Sequence, residues 1–291
     1  MAEFTPMMQQ YLQTKEEYKD CILFYRLGDF YEMFFEDAEL VSKELELTLT
    51  GKNCGMEERA PMCGIPYHAV EGYLNKLVAN GHKVAICEQV EDPKLAKGLV
   101  RREVIRIVTP GTNLDMQALD ESKNNYIMCI VYLADRYGVS IADVSTGDYY
   151  VTEVDSERKL FDEITKFSPS EIICNESFYM SGVDIEDLRH RLKITIYALE
   201  TWYFGDELAE TTLLTHFKVK SLEALGLADY DCGMIAAGAL LKYLYETQKN
   251  DLNNISVIHP YSTGKYMIID SSTRRNLELT ETLREKQKRG S

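Results

Sequence analysis

The sequence has little positive charge, and this bounds what it can bind. Its 291 residues include 32 Lys and Arg against 47 Asp and Glu, for a formal net charge of −15. Such an excess of acid argues against a nonspecific nucleic-acid binder, which usually carries a basic surface. Any contact with a nucleic acid must therefore come from local basic faces.

Long apolar runs, paired cysteines and common enzyme motifs are also missing. Counting Gly, the longest wholly apolar stretch is residues 232–241, far short of the roughly 20 residues that span a bilayer. The seven cysteines are scattered and form no C-x-x-C pair, which argues for a reduced compartment and against zinc. We therefore expect a soluble, cytoplasmic protein without bound metal.

Phosphate-binding and hydrolytic signatures are absent as well. Gly51-Lys52 is followed by Asn and Gly264-Lys265 by Tyr, so no P-loop occurs. No G-x-S-x-G, H-E-x-x-H or G-x-G-x-x-G is present either. We expect no cofactor and no catalysis from these residues.

The first predicted domain covers residues 1–112 and mixes helices with strands. Hydrophobic periodicity and turn residues predict helices at 6–18, 30–45 and 70–80 and strands at 21–27, 84–90 and 100–108, with a Gly- and charge-rich loop at 51–64. Residues 113–124 are polar and aperiodic, which is typical of a linker.

The second predicted domain, residues 125–250, begins with a three-strand meander. Strands at 126–134, 139–144 and 149–154 precede alternating helices and strands, so a mixed-sheet α/β fold is expected. Residues 251–291 predict one strand at 267–270 and one helix at 273–288. These cannot bury their own apolar faces, so we expect the truncated start of a third domain.

The segment Gly28-Asp-Phe-Tyr-Glu32 supports two interpretations. In the first, Asp29 and Glu32 form a capping box, and one helix face packs into the core through positions with i, i+4, i+8 and i+11 spacing: Phe30, Phe34, Ala38, Val41 and Leu45. In the second, Phe30 points outward and wedges between DNA base steps, which mispaired bases permit more cheaply. Glu32 could then hydrogen-bond a displaced base, taking up a proton near the phosphates.

Basic residues farther along the domain also have two interpretations. Strand periodicity places Arg102 and Arg106 on one face, suited to successive phosphates, although pairing with Glu88 or Glu103 is the alternative.

Four residues at or beyond the ends of the 51–64 loop could reach a DNA backbone. They are Lys52, Tyr67, His68 and Lys76. Such residues are more often solvated or packed than functional.

Two other functions remain open for the second domain. A metal-dependent nuclease needs clustered carboxylates, yet the strand at 126–134 contains no acid, and Asp143 and Asp148 lie on or beside a turn. An acidic scaffold that binds protein and never touches DNA is the other alternative.

An ordered set of motifs resembles the N-terminal part of the bacterial MutS family of DNA mismatch repair proteins. The motifs are TPMMQQY (5–11), FYRLGDFYE (24–32), PMCGIPYHAV (61–70), VAICEQ (84–89), RIVTPGT (106–112) and RRNLEL (274–279).

The resemblance implies a mismatch-binding domain at 1–112, an RNase H-like connector domain at 125–250 and the start of a mainly helical core, or lever, domain. It implies that Phe30 stacks on the mispaired base and that Glu32 hydrogen-bonds it. The connector domain would communicate with nucleotide state and a MutL-type partner. In the family, further domains that would lie beyond residue 291 bind ATP and Mg²⁺ and form the dimer interface. The full-length parent protein would therefore be a homodimeric ATPase.

Overall fold

A computed structural model describes residues 3–91, 98–114 and 124–263. These residues form two compact units, one within Met1–Lys123 together with Leu244–Leu252 and the other within Asn124–Tyr243 together with Asn253–Ser291. The strand and helix expected at 267–270 and 273–288 lie outside the described residues. Within the described part of the chain, no helix is long and apolar enough to cross a membrane.

The first unit is built on a six-stranded mixed sheet of order β3-β4-β2-β1-β5-β6. In chain order its elements are α1 (Pro6–Glu17), β1 (Ile22–Leu27), β2 (Phe30–Phe34), α2 (Phe35–Glu44), β3 (Thr50–Lys52), β4 (Ala60–Pro66), α3 (Val70–Ala79), β5 (Val84–Gln89) and β6 (Arg102–Val108). Helix α1 begins as expected, with Pro6 in its first turn and the Thr5 hydroxyl accepting from the Met8 amide.

Both faces of this sheet are covered by apolar side chains. One face packs Tyr31 and Met33 of β2 against α2 and α3, and the other packs Phe34 against Met8 and Tyr11 of α1. Alternate residues of each strand therefore enter different cores.

The helix expected at 30–45 is wrong over its first five residues. The chain turns back at Gly28, whose φ of +59° suits a two-residue hairpin, and Leu27 pairs with Phe30 in antiparallel register. Aromatic residues favour strands, and Tyr31 and Met33 are buried on the face opposite Phe34. The helix begins only at Phe35, so the proposed capping box does not form.

The loop expected at 51–64 is wrong at both ends, although residues 53–59 form neither helix nor strand. Strands β3 and β4 form there and pair with each other, and β4 pairs with β2 from Phe30↔Pro66 to Phe34↔Met62. Register with a buried neighbour outweighs the weak strand preference of Gly and charged residues.

A bulge in β6 corrects the prediction that Arg102 and Arg106 share a face. Ile86 pairs with Arg106 and Cys87 with Val104, so Ile105 has no partner residue on β5. One extra residue reverses the alternation of side chains. Arg102 therefore lies on the α1 side of the sheet and Arg106 on the α3 side.

The second unit has a six-stranded mixed sheet of order β11-β10-β7-β8-β9-β12. Its elements are β7 (Tyr126–Leu133), β8 (Arg136–Asp143), β9 (Asp148–Val154), α4 (Glu157–Phe167), β10 (Glu171–Cys174), α5 (Ile185–His190), β11 (Thr195–Ala198), α6 (Asp206–Phe217), α7 (Asp231–Gln248) and β12 (His259–Pro260).

Strands β7, β8 and β9 are antiparallel to one another in turn. Strand β10 pairs with β7 in parallel, and β11 pairs with β10 in parallel. This confirms the mixed α/β sheet expected of an RNase H-like domain. The β7–β8 turn lies at Ala134 and Asp135, both with positive φ, so β8 begins at Arg136, three residues before the predicted start at 139.

Candidate functional site

Phe30 projects from the first residue after the β1–β2 turn. Its side chain is 46% exposed, whereas Phe34, four residues on, is buried against α1. The core interpretation is therefore wrong for Phe30, although it holds for Phe34, for α2 positions 38 and 41 and for Leu45, the residue after α2. The β1–β2 hairpin presents this exposed aromatic ring at its turn.

Phe30 and Glu32 lie on the same face of β2, and Gly64 of β4 lies between them. Glu32 pairs with Gly64 in the strand register. A Cβ atom added to Gly64 would lie 3.6 Å from Glu32 Cγ and 3.9 Å from Phe30 Cδ1. The missing side chain leaves the space between the aromatic ring and the carboxylate open.

Glu32 is paired with Lys52, which comes from the edge strand β3. Lys52 Nζ lies 2.5 Å from Glu32 Oε2, and the two side chains are 32% and 17% exposed, respectively. The same ammonium group lies 5.6 Å from the centre of the Phe34 ring. The structure thus joins two residues that the sequence placed in separate roles.

Arg26 is a candidate that the sequence analysis missed, and it holds the turn from the opposite face. Its guanidinium group donates to the Gly28 carbonyl at 2.5 Å and to Glu88 Oε1 at 3.1 Å, and lies 3.8 Å from the centre of the Tyr67 ring. The Tyr67 amide in turn donates to the Asp29 carbonyl at 3.0 Å. These contacts fix both residues of the turn that precedes Phe30.

Glu88 is shared between Arg26 and Tyr31. The Tyr31 hydroxyl donates to Glu88 Oε1, and burial, reinforced by this hydrogen bond, raises the pKa of Tyr31. Neither Arg26 nor Gly64 stands out by residue type. The available signals were the position of Arg26 two residues before Gly28 and that of Gly64 between two apolar residues.

Tyr67 and His68 lie together in a short 3₁₀ turn after β4. Both are exposed, and their rings meet edge to face at 5.8 Å. Lys76 is exposed in the last turn of α3, about 9 Å farther along the helix axis than Val70. Tyr67 is thus tied to the β1–β2 turn.

Arg102 and Arg106 have different partners, and neither pairs with Glu88 or Glu103. Arg102 donates to Gln10 Oε1 at 2.9 Å and to the Arg26 carbonyl at 2.8 Å. Arg106 lies 3.7 Å from Glu71 of α3, an exposed and weak ion pair. Arg106 is therefore the easier of the two to redirect toward a phosphate.

Asp143 of the second unit is fully buried and caps its own turn. Its Oδ1 accepts from the Ser145 amide and hydroxyl at 2.8 and 2.6 Å, and its Oδ2 accepts from the Asn125 amide at 3.2 Å. Within the described residues, no group of three or more His, Cys, Asp or Glu side chains is arranged to hold a metal ion. The carboxylate that a nuclease would need is committed to the turn.

Family models match both units of the chain. The model of MutS domain I matches residues 5–117, and that of MutS domain II matches residues 125–256. The DNA mismatch repair protein MutS of Lachnoclostridium phytofermentans is 67% identical over 291 residues, which cover 100% of this chain and 31% of the relative. The MutS of Acetivibrio thermocellus is 53% identical over 294 residues, which cover 100% of this chain and 33% of the relative.

The chain spans about a third of the length of these curated relatives. Both domain models match in chain order, and each falls on one of the two mixed sheets. The chain therefore belongs to the MutS family of DNA mismatch repair proteins.

Proposed function

We propose that this chain recognises mispaired bases in double-stranded DNA, with Phe30 as the wedge and Glu32 as the group that hydrogen-bonds the displaced base. The exposed Phe30 ring at a braced hairpin turn is the observation that carries the proposal. An apolar side chain inserted between base steps costs a few kcal/mol of unstacking, and less where pairing is already lost.

The position of Glu32 supports its part of the proposal. Residues two apart on a strand project from the same face, so the carboxyl group stands beside the Phe30 ring with only Gly64 between them. A base displaced by the ring would meet this carboxyl group first.

Contacts with the DNA backbone are proposed for four residues that are exposed or weakly paired: Arg106, Lys76, Tyr67 and His68. Arg102 is proposed with them at a higher cost, because its present hydrogen bonds must be replaced. Phosphate contacts of this kind position a protein on the duplex without reading sequence.

The domain roles follow the family. Residues 1–112 would bind the mismatch, and residues 113–124 would link this domain to the next. Residues 125–250 would form the connector domain, which couples DNA binding to nucleotide state and to a MutL-type partner. Residues 251–291 would begin the core domain. ATP hydrolysis and homodimerisation are proposed for the parent protein and not for these residues, and its location is proposed to be cytoplasmic.

Phe30→Ala tests the proposal. The preference of the protein for a single-mismatch duplex over a matched duplex should be lost, while its thermal unfolding stays within about 1 kcal/mol because the ring is exposed. Ile105→Ala is the matched control, since Ile105 is 47% exposed in the same unit. Retained preference in Phe30→Ala would refute the wedge.

Glu32→Ala separates base contact from general binding. Discrimination should fall more than total affinity, as measured by fluorescence anisotropy at fixed salt. Equal losses on both duplexes would contradict a role for Glu32 at the base. Failure of every variant and of the unchanged protein to bind either duplex would favour the protein-binding scaffold instead.

A further inference from the structure

The Lys52–Glu32 ion pair creates a conflict between two proposed DNA contacts. Glu32 cannot hydrogen-bond a base while its carboxylate is held by Lys52, and Lys52 cannot neutralise a phosphate while it is held by Glu32. In the unbound protein each residue therefore blocks the other.

Resting on the proposed function, we propose that Lys52 is a specificity-determining residue that exchanges partners with Glu32: on matched DNA the ion pair stays closed, and on mismatched DNA Glu32 turns to the displaced base while Lys52 moves to a phosphate. Only a mispaired base offers Glu32 a hydrogen-bonding partner. The exchange thus links base recognition to one additional backbone contact.

The geometry makes this exchange inexpensive. Both side chains are partly exposed, and ion pairs of that kind shift an equilibrium by roughly fivefold or less. Lys52 is the last residue of the edge strand β3, and its long flexible side chain can reorient without moving the sheet. Gly64 contributes no side chain to the space that the Glu32 carboxylate would cross.

The closed pair also explains how an acidic residue can stand at a DNA-binding surface. An unpaired carboxylate near phosphates would repel matched DNA, whereas the ammonium of Lys52 neutralises it. The closed ion pair then neither strongly repels the matched duplex nor adds an attractive contact to it.

The exchange predicts a difference in salt dependence. Each phosphate neutralised steepens the slope of log K against log salt by about 0.9 on duplex DNA. The unchanged protein should therefore show a slope steeper by about 0.9 on a single-mismatch duplex than on the matched duplex. Between 50 and 200 mM salt, this corresponds to an additional loss of affinity of roughly three- to fourfold.

Lys52→Met should abolish that difference while leaving the matched-duplex slope unchanged. Lys76→Met is the control, because loss of a proposed backbone contact outside the pair should make both slopes shallower by the same amount. Glu32→Gln should free Lys52 on both duplexes and raise the matched-duplex slope to the mismatch value. Thermal unfolding of each variant checks that the fold is intact.

Two outcomes would overturn the exchange: equal slopes on both duplexes for the unchanged protein, or a slope difference that survives Lys52→Met. Either result can occur while the protein still prefers mismatched DNA, so the wedge proposal would stand. Loss of that preference in the unchanged protein would instead contradict the proposed function itself.

Discussion

In each unit an acidic strand residue lies four positions from the glycine of a turn, Glu32 after Gly28 and Asp143 before Gly147, and the two carboxylates have opposite uses. After β1, the Gly28–Asp29 turn presents Phe30 outward, with Glu32 two residues on and partly exposed. After β8, the turn that ends at Gly147 encloses Asp143, whose carboxylate accepts three hydrogen bonds from amides and one from a hydroxyl.

The contrast lies in where each carboxylate finds its partners. Asp143 is satisfied by its own turn and by Asn125, so it stabilises the fold and has no capacity left for a ligand. Glu32 is held by a single flexible lysine that can be replaced. A carboxylate near a turn is therefore a candidate site only when its partners are few and mobile.

Asp143→Asn should give the largest change in the free energy of unfolding. A small change would contradict the contrast drawn between Asp143 and Glu32. An amide nitrogen in place of one oxygen would oppose a backbone donor, so we expect a loss of about 2–4 kcal/mol in the free energy of unfolding. Urea denaturation measures it. Asp148→Asn, at the same turn but half-buried, should change stability by roughly 0.5 kcal/mol or less.

Arg26→Ala should come next, with a loss of about 1–2 kcal/mol, because Glu88 loses an ionic partner and Tyr67 a stacked cation. Discrimination between duplexes should fall as well, since the turn before Phe30 is no longer braced. Arg26→Lys keeps the charge without the planar guanidinium group, so its stability and its discrimination should lie between those of the unchanged protein and of Arg26→Ala. Unchanged discrimination in Arg26→Ala would show that the turn holds its shape unaided.

Gly64→Ala should affect function more than stability. The new Cβ would lie 3.3 Å from the Tyr31 carbonyl, a contact that a small shift relieves, yet it would occupy the space between Phe30 and Glu32. We expect under about 1 kcal/mol of destabilisation and a clear drop in mismatch preference.

Gly72→Ala is the matched glycine control, because a Cβ there meets nothing within 4 Å in helix α3. It should stabilise the protein by about 0.5–1 kcal/mol and leave discrimination unchanged. A parallel loss in both variants would assign the Gly64 effect to general perturbation.

Thiol chemistry should show no difference between the two units. All seven cysteines are buried, and burial raises the pKa of Cys21, Cys87 and Cys174 to about 12, which lowers the reactive thiolate fraction at neutral pH. A disulfide reagent at pH 8 should modify the folded protein only as fast as it unfolds, and all thiols should react in denaturant. Rapid labelling of one unit would reveal local opening there.

The local hydrophobic pattern predicted the strands that are largely buried and the helices that have one regular apolar face. Helix α3 and strands β5 and β7 each differ from the predicted limits by one residue at one end. Phe30 was ambiguous because i, i+4 spacing and strand alternation both fit its segment. Pairing of β2 with both β1 and β4 decided the matter, and β4 lies too far along the chain for a local sequence window to contain it.

The site itself was reachable only in part. Family motifs singled out Phe30 and Glu32, while Lys52 and Arg26 gain their roles from pairings across strands that lie far apart in the chain. Single-sequence reasoning gives no distances between such residues, so it could not distinguish a free lysine from one that holds Glu32.

The bulge at Ile105 has a consequence for how this strand tolerates changes in length. Strand β6 carries one residue more than β5 uses in pairing, and the surplus residue faces solvent. Deleting Ile105 would leave a regular strand with Arg102 and Arg106 still on opposite faces. An insertion on either side of it would instead turn every later residue over, burying charge and exposing Val108, so the segment accepts shortening but resists lengthening.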